Sequence, residues 1–187
     1  GDFAFSPDGQ TLAGAGFMRL QKWSAVTHKA LPCDIPAWMR VAYSPDGRWL
    51  VVGSFGEQVR LSNAVTGELE AAFAGHAEGV LGCAVSPDSL SVVSTSSDGT
   101  LRLWSVATER ELALFWQKGR SFDRPMFSRD GRVLAAGSGY GTGGQVQIWR
   151  APSWDEISAI EKARPAQERA EERSPPPPPE IKNSSKP

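Results

Sequence analysis

Residues 75–104, GHAEGVLGCAVSPDSLSVVSTSSDGTLRLW, contain three short apolar runs, each closed by a turn signal or by the final Trp104. Val80 to Val85 runs into Ser86-Pro87-Asp88-Ser89, Val92 to Thr95 runs into Asp98-Gly99, and Leu101 to Trp104 follows. Pro presets φ, Asp bonds the backbone two residues on, and Gly supplies positive φ, so both signals read as tight turns between strands. Relatives of the first turn stand at Ser6-Pro7-Asp8-Gly9, Ser44-Pro45-Asp46-Gly47 and Ser128-Arg129-Asp130-Gly131. The four starts, at 6, 44, 86 and 128, lie 38, 42 and 42 residues apart. A repeat of that period means a toroidal or stacked array, and such arrays usually serve to present a surface.

Aligning the four segments on the turn Ser gives each position a role. Before the turn, Phe5, Tyr43, Val85 and Phe127 coincide, and Phe3, Val41, Cys83 and Pro125 coincide two residues earlier. Ala4, Ala42, Ala84 and Met126 lie between them, so both faces of this strand are apolar, as in a sheet covered on both sides. A second strand follows the turn at Leu12, Leu50, Val92 and Leu134, and a third at Leu20–Trp23, Val59–Ser62, Leu101–Trp104 and Val146–Trp149. A fourth is expected at Leu69 to Phe73 and Glu111 to Phe115, and more weakly at His28 to Leu31. Four short strands per unit is the pattern of a propeller blade. The spacing therefore predicts an all-β propeller with about four blades in residues 1–150.

After Arg150 the pattern changes. Ser153-Trp154-Asp155-Glu156 has the form of a capping box, and Trp154, Ile157 and Ile160 recur at three-residue steps, predicting a short helix over 151–164. Residues 165–187 are charged and then Pro-rich, with Pro175 to Pro179 in a run, and read as a disordered tail.

The third repeat resembles the WD (Trp-Asp) repeat family of β-propellers, through Gly75-His76, Ser86-Pro87-Asp88, Asp98-Gly99-Thr100 and Leu101-Arg102-Leu103-Trp104. The resemblance implies a buried structural tetrad of His76, Ser94 or Ser96, Asp98 and Trp104. The other repeats depart from it: Phe17 and Gly56 stand at the Asp98 position, and Ser62 at the Trp104 position of the second. Family rings mostly have seven blades, which makes this chain the expected C-terminal part of a larger ring. A closed four-blade ring and completion by a second copy are the alternatives. The segment Ile148 to Ile157 resembles the terminal part of large bacterial WD-repeat proteins, some of which carry a serine/threonine kinase domain.

Gly139, Gly141 and Gly144 satisfy a G-x-G-x-x-G spacing, but strands flank it on both sides where a nucleotide loop needs a following helix. Asp8, Asp46, Asp88 and Asp130 recur at one turn position, which argues for geometry over acid-base work. Two His and two Cys residues give a nucleophile or a zinc site little to draw on. No enzyme, cofactor or metal site is expected. With 20 basic and 21 acidic side chains there is no global pull towards nucleic acid or a membrane.

Trp38 and Phe122 align with Val80 and read as core. Arg40 and Arg124, at the entry to the innermost strand, are the surface candidates, joined by Phe17, Phe55, Ser97 and Tyr140 near the loop between the second and third strands. The expected function is a protein-interaction scaffold that presents its top-face loops to protein partners. The alternative is a regulatory propeller of a bacterial signalling protein such as a kinase. With no signal peptide at Gly1, the default compartment is the cytoplasm.

Overall fold

The computed structural model describes residues 1–16, 18–37, 40–53, 57–116, 121–138 and 144–152. The predicted helix over 151–164 and the tail over 165–187 lie essentially outside them, as do Phe17, Trp38, Phe55, Tyr140 and Gly139 to Gly143. Every regular element among the described residues is a strand. The first sheet is built from β1 (Asp2–Phe5), β2 (Thr11–Ala15), β3 (Leu20–Ser24) and β4 (Ala30–Leu31). The second holds β5 (Val41–Tyr43), β6 (Trp49–Gly53), β7 (Gln58–Asn63) and β8 (Leu69–Ala74), and the third β9 (Val80–Val85), β10 (Ser91–Ser96), β11 (Thr100–Ser105) and β12 (Glu111–Trp116). The fourth has β13 (Phe122–Phe127), β14 (Val133–Ser138) and β15 (Gln145–Arg150). Each sheet is an antiparallel meander in chain order. The innermost strands neighbour one another in sequence, β1 beside β5, β5 beside β9 and β9 beside β13, so the sheets follow one another as blades.

Alternation along the second strand is what joins blade to blade. Leu50 and Val52 pack with Ala13, Ala15 and Leu20 of blade 1, while Val51 between them packs with Val80 and Val92 of blade 3. Val93 in turn faces blade 4, where it meets Phe122, Leu134 and Ala136. Phe122 is fully buried, in an edge-on contact with Trp149 at 5.5 Å, which places it in the core.

The turn after each innermost strand is closed by its own side chains. In the first, Ser6 Oγ donates to Asp8 Oδ1 at 2.5 Å, the Gln10 N–H donates to the same oxygen at 3.0 Å, and the Thr11 N–H donates to Ser6 Oγ at 2.9 Å. The same bonds recur around Ser44 and Asp46, Ser86 and Asp88, and Ser128 and Asp130. The Ser hydroxyl and backbone N–H groups hold Asp8, Asp88 and Asp130 below the usual carboxylate range. Gly9, Gly47 and Gly131 have φ of 71°, 74° and 72°, and Ser89 takes the same left-handed conformation at 61°. Its hydroxyl accepts the Asp46 N–H at 3.2 Å, tying the turn of blade 3 to that of blade 2.

The faces at the two ends of the series are apolar and exposed. On blade 1 they show Phe3 and Phe5, and on blade 4 Met126, Val146 and Ile148.

Candidate functional site

The polar centre of blade 3 is assembled from two strands and two turns. Ser94 on β10 and Trp104 on β11 lie on one face of paired strands, since Ser94 pairs with Arg102 two residues away. Trp104 Nε1 donates to Ser94 Oγ at 2.8 Å, and His76 Nε2 lies 2.8 Å from the same oxygen. On its other side His76 Nδ1 lies 3.1 Å from Asp98 Oδ2 and 3.0 Å from Thr100 Oγ1. Thr100 Oγ1 donates to Asp98 Oδ1 at 2.6 Å, and the Ala77 N–H donates to Asp98 Oδ2 at 2.9 Å. With the imidazole proton assigned to Nδ1, Ser94 donates to Nε2 while accepting from the indole, and each member has its partner. Ser94, not Ser96, fills the hydroxyl place; Ser96 Oγ instead donates to the Glu78 carbonyl at 3.0 Å. Thr100, a fifth member, was signalled only by its place after Asp98-Gly99.

Burial pushes the His76 imidazole below its ordinary 6.5, outweighing the opposite pull of Asp98. Burial also works to raise the Asp98 carboxyl, but the Thr100 hydroxyl, the N–H groups of Ala77 and Thr100, and His76 together bring it from 3.8 down to about 2. The His76 side chain is fully enclosed, so the group cannot meet a substrate. The network is a clamp, and it carries a pH signature. Below 6.5 the unfolded chain binds a proton at His76 that the native fold refuses, so stability falls as pH drops through that value. A second loss follows as Asp98 is protonated in the unfolded chain near 3.8 and in the fold only near 2. The melting temperature is expected to fall between about pH 7.5 and about pH 5.5; a profile flat through that range would contradict a buried neutral imidazole.

The surface candidates fare differently from one another. Ser97 lies on the rim beside the loop that leads into β9, its N–H donating to the Gly79 carbonyl at 3.1 Å. Arg124 is exposed, at φ 48° on a one-residue bulge between Asp123 and Met126. Arg40 is not open surface: its side chain is 17% exposed, and the guanidinium is engaged between blades. Its Nε donates to the Leu81 carbonyl of blade 3, and its Nη2 reaches Asp123 of blade 4 at 3.0 Å. Sequence reasoning missed this strut, and it missed Lys22, which is buried at a position where the other repeats carry Leu61 and Leu103. Lys22 Nζ donates to the Ala64 carbonyl of blade 2 at 2.5 Å.

Among the described residues no group of three His, Cys, Asp or Glu side chains could hold a metal ion, and no helix is long and apolar enough to cross a membrane.

Residues 37–61 and 67–105 match the family described as "WD domain, G-beta repeat". The whole series of sheets superposes on a solved structure of the WD40 repeats of RRP9 with a TM-score of 0.70, at 22% identity, covering 82% of this chain and 48% of that one. The fold is a WD-repeat β-propeller. A second solved chain, the structure of U3-55K, aligns with a TM-score of 0.71 at 22% identity, over 82% of this chain and 49% of that one. Among relatives, the apoptotic protease-activating factor 1 of Rattus norvegicus is 29% identical over 148 residues, which is 78% of this chain and 12% of that protein. The actin-interacting protein 1 of Drosophila melanogaster is 36% identical over 85 residues, 44% of this chain and 14% of that protein. The chain thus spans under a fifth of these two relatives and about half of the solved WD-repeat chains. WD-repeat propellers are generally scaffolds for protein interaction, typically without catalytic activity of their own.

Proposed function

We propose that this chain is a protein-interaction scaffold whose partners read the top-face rim, the edge that carries Ser97 and Arg124, a surface to which the sequence pattern alone adds Phe17, Phe55 and Tyr140. The observation that supports it most is the closed tetrad of blade 3. It uses the polar side chains of the blade centre to fix strand positions, and the rim loops are the part left free to vary. Such a scaffold acts by rigid presentation, so its specificity lies in the loops. The exposed apolar faces of blades 1 and 4 support a working ring of more blades than these, from the same parent polypeptide or a second copy.

The test is capture of a protein partner on the immobilised chain, compared with capture on a variant carrying Phe55→Arg, Ser97→Arg and Tyr140→Arg. Loss of central contacts at an interface costs about 2 kcal/mol or more, roughly a 30-fold drop in affinity. Exposed loop substitutions leave stability within about 0.5 kcal/mol. Undiminished binding by a normally folded variant would remove the rim from the reading.

A further inference from the structure

β12 is the outermost strand of blade 3, and one of its edges has no strand beside it. Among the described residues no main-chain bond from elsewhere reaches that edge. The run Glu111-Leu112-Ala113-Leu114-Phe115-Trp116 is apolar after its first residue. Pairing sets Leu114 opposite Arg102 and Trp116 opposite Thr100, so both point to the side of the sheet on which Arg102 lies over the Trp104 ring. Phe115 between them points the other way and meets Trp149 of blade 4 at 5.0 Å. Leu112 stands at the bulge of the same strand. Leu112, Leu114 and Trp116 are 55%, 46% and 69% exposed, although blade 3 has a neighbouring blade on each side. This opening is therefore not one that a further blade would fill.

Open edges invite pairing, and proteins blunt them with short strands or with charges. The outermost strand of blade 1, β4, has two residues, and β8 of blade 2 carries the exposed Glu70. β12 has neither protection. Its one charged residue, Glu111, is taken up by Arg102 of the adjacent strand.

The chemistry of the edge selects what fits it. Alternating N–H and C=O groups are matched by another extended chain, and alternate apolar side chains by apolar ones opposite. With Glu111 already neutralised, nothing on the strand calls for a charge there. The seam is six residues long, about 20 Å, whereas a folded partner needs about 20 to 30 residues a side. A short segment suits it better than a second copy of the whole chain.

We propose that β12 binds an extended, uncharged segment of a partner protein, which adds to blade 3 as a further strand and lays its apolar side chains against Leu114 and Trp116. This goes beyond the reading of the rim and shares no residue with it.

The probe is a blocked peptide of alternating Val and Thr, titrated into the full chain and followed by amide hydrogen exchange. Binding is expected to slow exchange about tenfold or more at the β12 amides that point away from β11. Leu114→Lys and Trp116→Lys are each expected to weaken binding about tenfold, because a lysine on an edge strand opposes pairing, and Leu114→Ile to leave it nearly unchanged. Melting curves check that each variant folds. The rim variant carrying Phe55→Arg, Ser97→Arg and Tyr140→Arg is expected to bind the peptide as before, so failure of the rim reading and failure of this one are told apart. No binding up to millimolar peptide, protection confined to other strands, or equal binding of the same peptide N-methylated throughout would overturn the proposal. So would self-association of the free chain that Leu114→Lys abolishes, since the edge would then belong to a second copy.

Discussion

Trp104→Ala is expected to destabilise the propeller by about 3 to 5 kcal/mol, the scale for truncating a buried aromatic. The side chain is 2% exposed and stacks on Phe73 of blade 2 with ring centroids 5.6 Å apart, so the cavity opens at the contact between two blades. Removal of the indole also takes away the donor to Ser94, and a buried group left short of a partner adds to the loss. Trp104→Phe separates the two effects, because it keeps most of the packing and drops the N–H. It should cost about 1 to 3 kcal/mol. Urea unfolding reads both from the midpoint, provided the slope is unchanged. A loss under about 1 kcal/mol for the alanine variant would mean that the indole does not sit where blade 3 is clamped.

Gly82→Ala carries the second large effect, about 1 to 3 kcal/mol, by overpacking. A Cβ at Gly82 would lie 2.5 Å from Pro125 Cδ, 2.8 Å from Thr95 Oγ1 and 3.0 Å from the Arg124 backbone nitrogen. None of the three is the far end of a flexible side chain. Pro125 and Arg124 are fixed by the bulge of β13, so relief requires blades 3 and 4 to part at the innermost strand, beside the path of Arg40. Gly79→Ala is the control, since a Cβ there meets nothing within 4 Å. Equal melting temperatures for the two variants would show that the close approach of β9 and β13 does not limit stability.

The blades were legible because their signals are local. Each turn closes within the few residues from Ser to the following strand, and the Ser, Asp and Gly that close it sit at fixed offsets, so β1 to β3 and their counterparts could be read from spacing alone. The tetrad was legible for a related reason: His76, Ser94, Asp98 and Trp104 fall within one repeat at family offsets. What could not be read was the traffic between repeats. Arg40 and Asp123 are 83 residues apart, and nothing periodic links them. Lys22 breaks the apolar pattern of its own strand, and only the Ala64 carbonyl across the blade boundary accounts for its burial. The weakest strand expected, around His28 to Leu31, is two residues long because its register against β3 involves only Lys22 and Trp23.

The closed turn has a consequence for how such a chain ages. Its bonds use the Ser hydroxyl, the Asp carboxylate and main-chain groups, and never the side chain of the residue between Ser and Asp. Arg129 stands there in the fourth copy, and Ser89 stands in the third where the others have Gly, yet the same bonds form. The second letter is therefore free to drift, and the fourth to change among residues that accept a positive φ, while the closure is kept. Duplicated units built on such a turn can lose their mutual likeness long before they lose their shape, and here the family's signature is matched only over 37–61 and 67–105 while the sheets run on either side.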